Sequence, residues 1–157
     1  MLGQASVPGS VAAIDRWFDN ETLQSVRHAV RALVTAWGAT ADQIDTLILI
    51  TGELAANAVR HGGGRGRLRL WRLPAQLRLE VSDRGPGLRD PARAGLLLPP
   101  PGALGGRGLW LVRSFADGVE IDSGQEGATV IVRLAFGPPP VILRAPPAGA
   151  FAFAAAG

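Results

Sequence analysis

Between Glu21 and Val59 apolar side chains recur at three- and four-residue steps, whereas from Leu68 onward they recur at every second residue. A chain that changes period in this way must build helices first and strands afterwards, because one helix face repeats about every 3.6 residues and one strand face every second residue. Leu23, Val26, Val30, Leu33, Val34 and Trp37 set a first helix, which Gly38 closes. Thr40 followed by Gln43 has the form of a capping box, and a second helix follows over Ile44 to Val59, its end marked by His61-Gly62-Gly63-Gly64. Leu68 and Leu70 then alternate with Arg67 and Arg69. After Leu73-Pro74-Ala75-Gln76, the residues Leu77, Leu79 and Val81 alternate with Arg78, Glu80 and Ser82, which predicts a hairpin.

The segment Asp83 to Gly108, which includes Pro99-Pro100-Pro101, reads as a long loop of the kind that forms a functional lid or is disordered. A short helix over Leu109 to Phe115 and a second hairpin, Val119 to Asp122 with Thr129 to Phe136, complete the pattern. A further strand is expected within Val11 to Phe18. Strand, helix, helix, hairpin, lid, helix and hairpin describe an α+β fold: a two-layer sandwich whose mixed, mainly antiparallel sheet is covered on one face by helices. The predicted organisation is a leader over 1–10, one domain over 11–137, and a Pro- and Ala-rich tail over 138–157 expected to be disordered. The alternative for the tail is that Phe151 and Phe153 dock on the domain or on a partner.

Composition narrows the chemistry. At 157 residues the chain has room for one ordinary domain, and with no cysteine it can hold neither a disulfide nor a thiolate zinc site. Two histidines do not make a metal cage, so any metal is expected to be a hard cation held by oxygens and a phosphate. No secretory signal or membrane-spanning stretch is visible, and a cytoplasmic protein is expected. All sixteen basic residues are arginine, yet net charge is only +3. Their one cluster, Arg65, Arg67, Arg69 and Arg72, is split between two strand faces, so a solvated, charge-protected strand edge is expected rather than direct nucleic-acid binding.

Four polar or glycine-rich pieces stand out. Glu53, Asn57 and His61 are four residues apart on the second helix and line one stripe beside a buried seam of Leu47, Ile50 and Leu54. A carboxylate beside a carboxamide suits a proton acceptor next to a hard-cation ligand, although a solvated helix face has the same pattern. Asp83-Arg84-Gly85-Pro86-Gly87 directly follows a strand, where glycines permit close ligand approach and Asp can accept from an exocyclic amine; an ordinary turn has the same composition. Gly105-Gly106-Arg107-Gly108-Leu109 opens the short helix and would present free backbone amides to an anion, with neither a Walker loop nor a dinucleotide fingerprint. Gly127-Ala128-Thr129 starts the last strand, where the Thr hydroxyl could reach a ligand or cap the hairpin.

In this order the four pieces resemble the ATP-binding boxes of the gyrase, heat-shock chaperone, histidine-kinase and MutL (GHKL) superfamily. Glu53-Leu54-Ala55-Ala56-Asn57-Ala58-Val59-Arg60-His61-Gly62 is similar to its Asn box, Asp83 to Gly87 to its first glycine box, Gly106 to Leu109 to its second, and Gly127-Ala128-Thr129 to its terminal Gly-x-Thr element. Compact size and the run Gly-Arg-Gly-Leu-Trp-Leu-Val most resemble the bacterial anti-sigma factor serine kinases. The resemblance implies the Bergerat ATP-binding fold, with ATP and Mg²⁺ as cofactors. It implies that Asp83 bonds the adenine amino group with Thr129 in support, that Gly85 and Gly87 shape the pocket, and that Asn57 ligates Mg²⁺. Gly106, Arg107, Gly108 and Leu109 would meet the phosphates, and Glu53 would be the general base toward a serine hydroxyl. The lid contains Arg93 but no Lys, which leaves Arg107 as the candidate to neutralise the γ-phosphate; Arg60 and His61 have equally a structural reading at the helix end.

The implied function is a protein serine kinase of a partner-switching system. Its partners would be a small antagonist protein as substrate, possible binding of a sigma factor, and possible homodimerisation, with no membrane partner. Two alternatives are an ATP-gated binding module without transfer, and the catalytic fragment of a sensor histidine kinase, which the lack of a preceding dimerisation helix disfavours.

Overall fold

A computed structural model describes residues 11–103 and 105–137, and the leader and the tail named above lie outside the described residues. The elements follow as β1 (Ile14–Asp19), α1 (Leu23–Ala36), α2 (Ala41–His61), β2 (Arg65–Leu73), β3 (Gln76–Asp83), α3 (Arg107–Phe115), β4 (Gly118–Gly124) and β5 (Gly127–Ala135). The five strands form one sheet in the order β1-β2-β3-β5-β4, and all four pairings are antiparallel. The α+β sandwich is therefore as expected, with a sheet that is antiparallel throughout the described residues.

The local reasons are those of the sequence. Thr40 Oγ1 accepts from the Gln43 amide at 3.2 Å while Gln43 Oε1 accepts from the Thr40 amide at 2.9 Å, the reciprocal box that starts α2. Gly38, with φ of +85°, ends α1 in a left-handed turn no β-branched residue would adopt cheaply. The hairpin between β2 and β3 turns through Pro74 and Ala75, the latter at φ of +60°.

One face of the sheet carries Phe18, Leu68, Leu70, Leu79, Val81, Val130 and Val132, and it is covered by Val26, Val30 and Val34 of α1 and by Leu47, Ile50 and Leu54 of α2. Burying these side chains contributes about 1.5–3 kcal/mol each before entropy is counted. Alternation puts the intervening residues on the uncovered face, where Arg65, Arg67, Arg69, Arg78, Trp17 and Trp71 sit. The reading of the arginine cluster as edge protection does not hold. β2 lies between β1 and β3, and two of its arginines are neutralised across strands instead: Arg67 makes two bonds of 2.7 Å to the Asp15 carboxylate, and Arg69 is ion-paired with Glu80. Arg69 and Arg78 also stack on Trp71, at 5.2 and 5.5 Å from the ring centre, which explains how that indole is buried on a face without helices.

The Arg67 guanidinium beside Asp15 holds its carboxyl below the usual carboxylate range. A carboxyl lowered on folding contributes stability that is present above its unfolded value and lost as pH falls through its folded one. Asp15→Asn should thus lower stability in urea unfolding at neutral pH, and the difference from the parent chain should shrink on acidification below about pH 4.

Candidate functional site

The end of α2, the end of β3, the start of α3 and the start of β5 converge, and glycines make the convergence possible. Gly62 follows α2 directly: a Cβ there would touch the Asp83 carboxyl group and lie 2.6 Å from the Ala58 carbonyl oxygen. On Gly85 a Cβ would meet Gly62 Cα at 2.5 Å and the His61 carbonyl oxygen at 2.6 Å, and on Gly127 it would overlap the Asp83 carbonyl. Backbone thus packs on backbone around Asp83. The Asp83 carboxylate is fixed in turn, because Oδ1 accepts from the amides of Gly85 at 2.9 Å and Ala128 at 3.3 Å. Among the described residues Oδ2 has no hydrogen-bond partner, so one lone-pair-bearing oxygen is held in place and left for a ligand.

α3 supplies the opposite wall. Its N-cap is Gly106 in the left-handed conformation, with φ of +85°, and no side chain caps the helix, so the first-turn amides have no intrahelical acceptor. Gly108 lies against α2: a Cβ there would sit 2.6 Å from Glu53 Oε2 and 3.6 Å from Asn57 Nδ2. Glu53 and Asn57 are both half-buried and face the same glycine, while His61 is exposed at the helix end beside Arg60. Arg107 is exposed and Leu109 turns its side chain into the core, leaving only its backbone to the site.

The expected long loop, termed the lid here, is irregular chain over 84–103 and 105–106, and it is anchored at both ends. Gly87 adopts φ of +77° against the Gly124 carbonyl, and the next amide, Leu88, donates to Ser123 Oγ at 2.6 Å. Farther along, Gly95 packs on the backbone of Leu109, and Arg113 Nε donates to the Ala94 carbonyl at 2.7 Å. The lid therefore rests on α3, the element that also carries the second glycine box.

Thr129 is not brought to Asp83. The register pairs Thr129 with Ser82 and with Asp122, so its side chain points to the uncovered face, and the residue facing the Asp83 side is Ala128. The residue of β5 that contacts the Asp83 carboxylate directly is Ala128, through its backbone amide. Ser123 and Arg113 were not singled out from the sequence, and Gly62 and Ala128 stood in quoted motifs without a role of their own. Register and packing identify all four.

The chain's likeness to known proteins agrees with this geometry. The family model of the histidine kinase-like ATPase domain matches residues 17–134. No curated protein matches the sequence. Among solved structures, the SiaB-SiaC complex from Pseudomonas aeruginosa superposes with a TM-score of 0.58 at 10% identity, covering 80% of this chain and 91% of that one. The RsbU and RsbW domains of Rv1364c from Mycobacterium tuberculosis give a TM-score of 0.56 at 17% identity over 78% of this chain, which spans only 32% of that polypeptide. The mycobacterial sensor histidine kinase MprB gives 0.51 at 16% identity, covering 78% of this chain and 97% of that one. At such identities the likeness is one of fold.

Gly62→Ala tests the convergence. Its φ of −99° suits alanine, so any cost comes from the collision with Asp83 and the Ala58 carbonyl. The variant should be destabilised by about 1–3 kcal/mol, the usual cost of overpacking, in chemical denaturation.

Proposed function

The chain belongs to the histidine kinase-like ATPase domain family, and from that premise we propose that it is an ATP-dependent protein serine kinase of the partner-switching type, acting on a small antagonist protein. The observation that carries the reading is that Glu53 and Asn57 both face the amide-rich first turn of α3 at Gly108. A proton acceptor, a cation ligand and unpartnered amides then share one space, which is what positioning and charge stabilisation of a phosphoryl group require.

In this reading Asp83 Oδ2 accepts from the adenine amino group while the Ala128 and Gly85 amides keep the carboxylate oriented. Gly85 and Gly87 keep the wall thin, and the amides of Gly106, Arg107, Gly108 and Leu109 face the phosphates, with the Arg107 guanidinium adding positive charge. The donor set suits Mg²⁺ in a limited way. Asn57 offers one carboxamide oxygen, and no cluster of three His, Cys, Asp or Glu occurs among the described residues, so most ligands would be phosphate oxygens and water. Bound there, the ion would offset phosphate charge. Glu53 Oε2 takes the proton from an incoming serine hydroxyl. A protein partner is in keeping with the SiaB-SiaC assembly, and a sigma factor as second partner, homodimerisation and a cytoplasmic setting belong to the same proposal. No helix among the described residues is long and apolar enough to cross a membrane.

A second reading, an ATP-gated binding module, is favoured by the anchoring of the lid on α3 through Arg113 and Leu109: nucleotide at the second glycine box would act on the lid directly.

Asp83→Asn replaces an acceptor pair with an amide. It should weaken ATP binding by at least about tenfold in calorimetry, since a hydrogen bond to a charged group is worth about 1.5–3 kcal/mol. Glu53→Ala separates the two readings. With radiolabelled ATP, Mg²⁺ and antagonist proteins, the kinase reading expects transfer by the parent chain and its loss in Glu53→Ala at unchanged ATP affinity. No transfer by a parent chain that binds ATP, with partner control surviving the substitution, would establish the module.

A further inference from the structure

A second hollow, of about 270 Å³, lies behind the first glycine box and is lined by Trp17, Gly62, Gly63, Arg65 and Arg84. Its construction differs from the rest of the arginine-rich sheet face. Three guanidinium groups gather over one indole, with Arg65, Arg67 and Arg84 at 5.6, 5.8 and 5.5 Å from the Trp17 ring. Arg67 is neutralised by Asp15. Among the described residues, Arg65 and Arg84 have no carboxylate within ion-pair distance and donate no side-chain hydrogen bond. Asp19, the strand partner of Arg65, is turned away: its Oδ1 accepts from the amides of Glu21 and Thr22 and from the Thr22 hydroxyl. Two positive charges without an ion-pair partner therefore line one hollow beside a half-exposed ring, with Asp19 acting on Arg65 only at longer range, an arrangement an anion would stabilise.

We propose that this hollow binds the phosphate of a phosphorylated side chain on a partner protein. Two guanidinium groups match a dianion better than a single carboxylate, and arginine offers a phosphate paired N–H donors. The glycine floor leaves the approach clear: Gly63 has φ of +85°, and a side chain on Gly62 would collide with Asp83. The partial negative charge at the α2 C-terminus is offset by Arg60 in its last turn. A nucleic acid fits less well. The neighbouring strand positions carry Asp15 and Asp19, so positive charge forms a spot and not a track. The hollow adjoins the site assigned to ATP through Gly62 and Arg84 but does not include Asp83, and the inference does not depend on kinase activity.

The test is calorimetric titration of the full chain with a heptapeptide carrying a central phosphoserine, its serine and glutamate counterparts, inorganic phosphate, and a single-stranded oligonucleotide. Each titration is repeated with saturating ADP. The phosphopeptide should bind more tightly than every other probe, its affinity should be unchanged by ADP, and Arg65→Gln with Arg84→Gln should weaken it at least about tenfold. Trp17 emission should respond to the phosphopeptide, and Trp17→Phe should remove that response while the protein stays folded by circular dichroism. Displacement by ADP would place the peptide in the nucleotide site and overturn the inference. So would absence of phosphopeptide binding, equal binding of inorganic phosphate or oligonucleotide, or affinity that survives the double substitution.

Discussion

The contact of Gly62 with Asp83 sets the distance between the two layers of the site. α2 ends at His61, β3 ends at Asp83, and only a residue without a Cβ allows the turn after the helix to lie on the Asp83 carboxyl group and the Ala58 carbonyl at once. From that contact the rest follows. Gly85 packs on Gly62, Gly127 packs on the Asp83 carbonyl, and the Gly85 and Ala128 amides then lie close enough to hold Oδ1. A carboxylate held through Oδ1 by two backbone amides and packed on Gly62 is costly to move.

The second glycine box has a different physical character. α3 is nine residues long, uncapped by any side chain, and carries on one side Gly108, against Glu53 and Asn57, and on the other the Leu109 backbone and Arg113 that seat the lid. An isolated helix of this length is marginal, so its position depends on packing against α2 and on what meets its N-terminus. The lid contains few buried residues apart from the partly buried Leu88 and Ala94, and Leu96, Leu97 and Leu98 are exposed on it. A segment with so little buried area opens at low free-energy cost. One short helix thus joins the second glycine box to the loop that packs on it.

The helices and hairpins could be read from periodicity because their apolar faces meet one core: the Thr40–Gln43 box, the Gly38 stop and the turn at Pro74-Ala75 all act where the sequence placed them. Boundaries moved where tertiary contacts extend an element. α2 begins at Ala41, directly after the Thr40 cap, and α3 begins at Arg107 once Gly106 takes the N-cap. Strand order was not legible, and two readings depended on it. The arginines of β2 are interior because β1 pairs outside it, and Thr129 faces away because its register partner is Ser82. A strand's period gives alternation, but which face is covered follows from pairings between distant residues. The triple stack of arginines on Trp17 was likewise invisible, since it joins β1, β2 and the loop after β3.

A crystal structure of the chain with Mg²⁺ and a non-hydrolysable ATP analogue tests the central claim most directly. The account predicts the adenine amino group within hydrogen-bond distance of Asp83 Oδ2, the phosphates against the backbone of Gly106 to Leu109, and Asn57 on the metal. Adenine bound away from Asp83, or phosphates seated elsewhere than the first turn of α3, would contradict it.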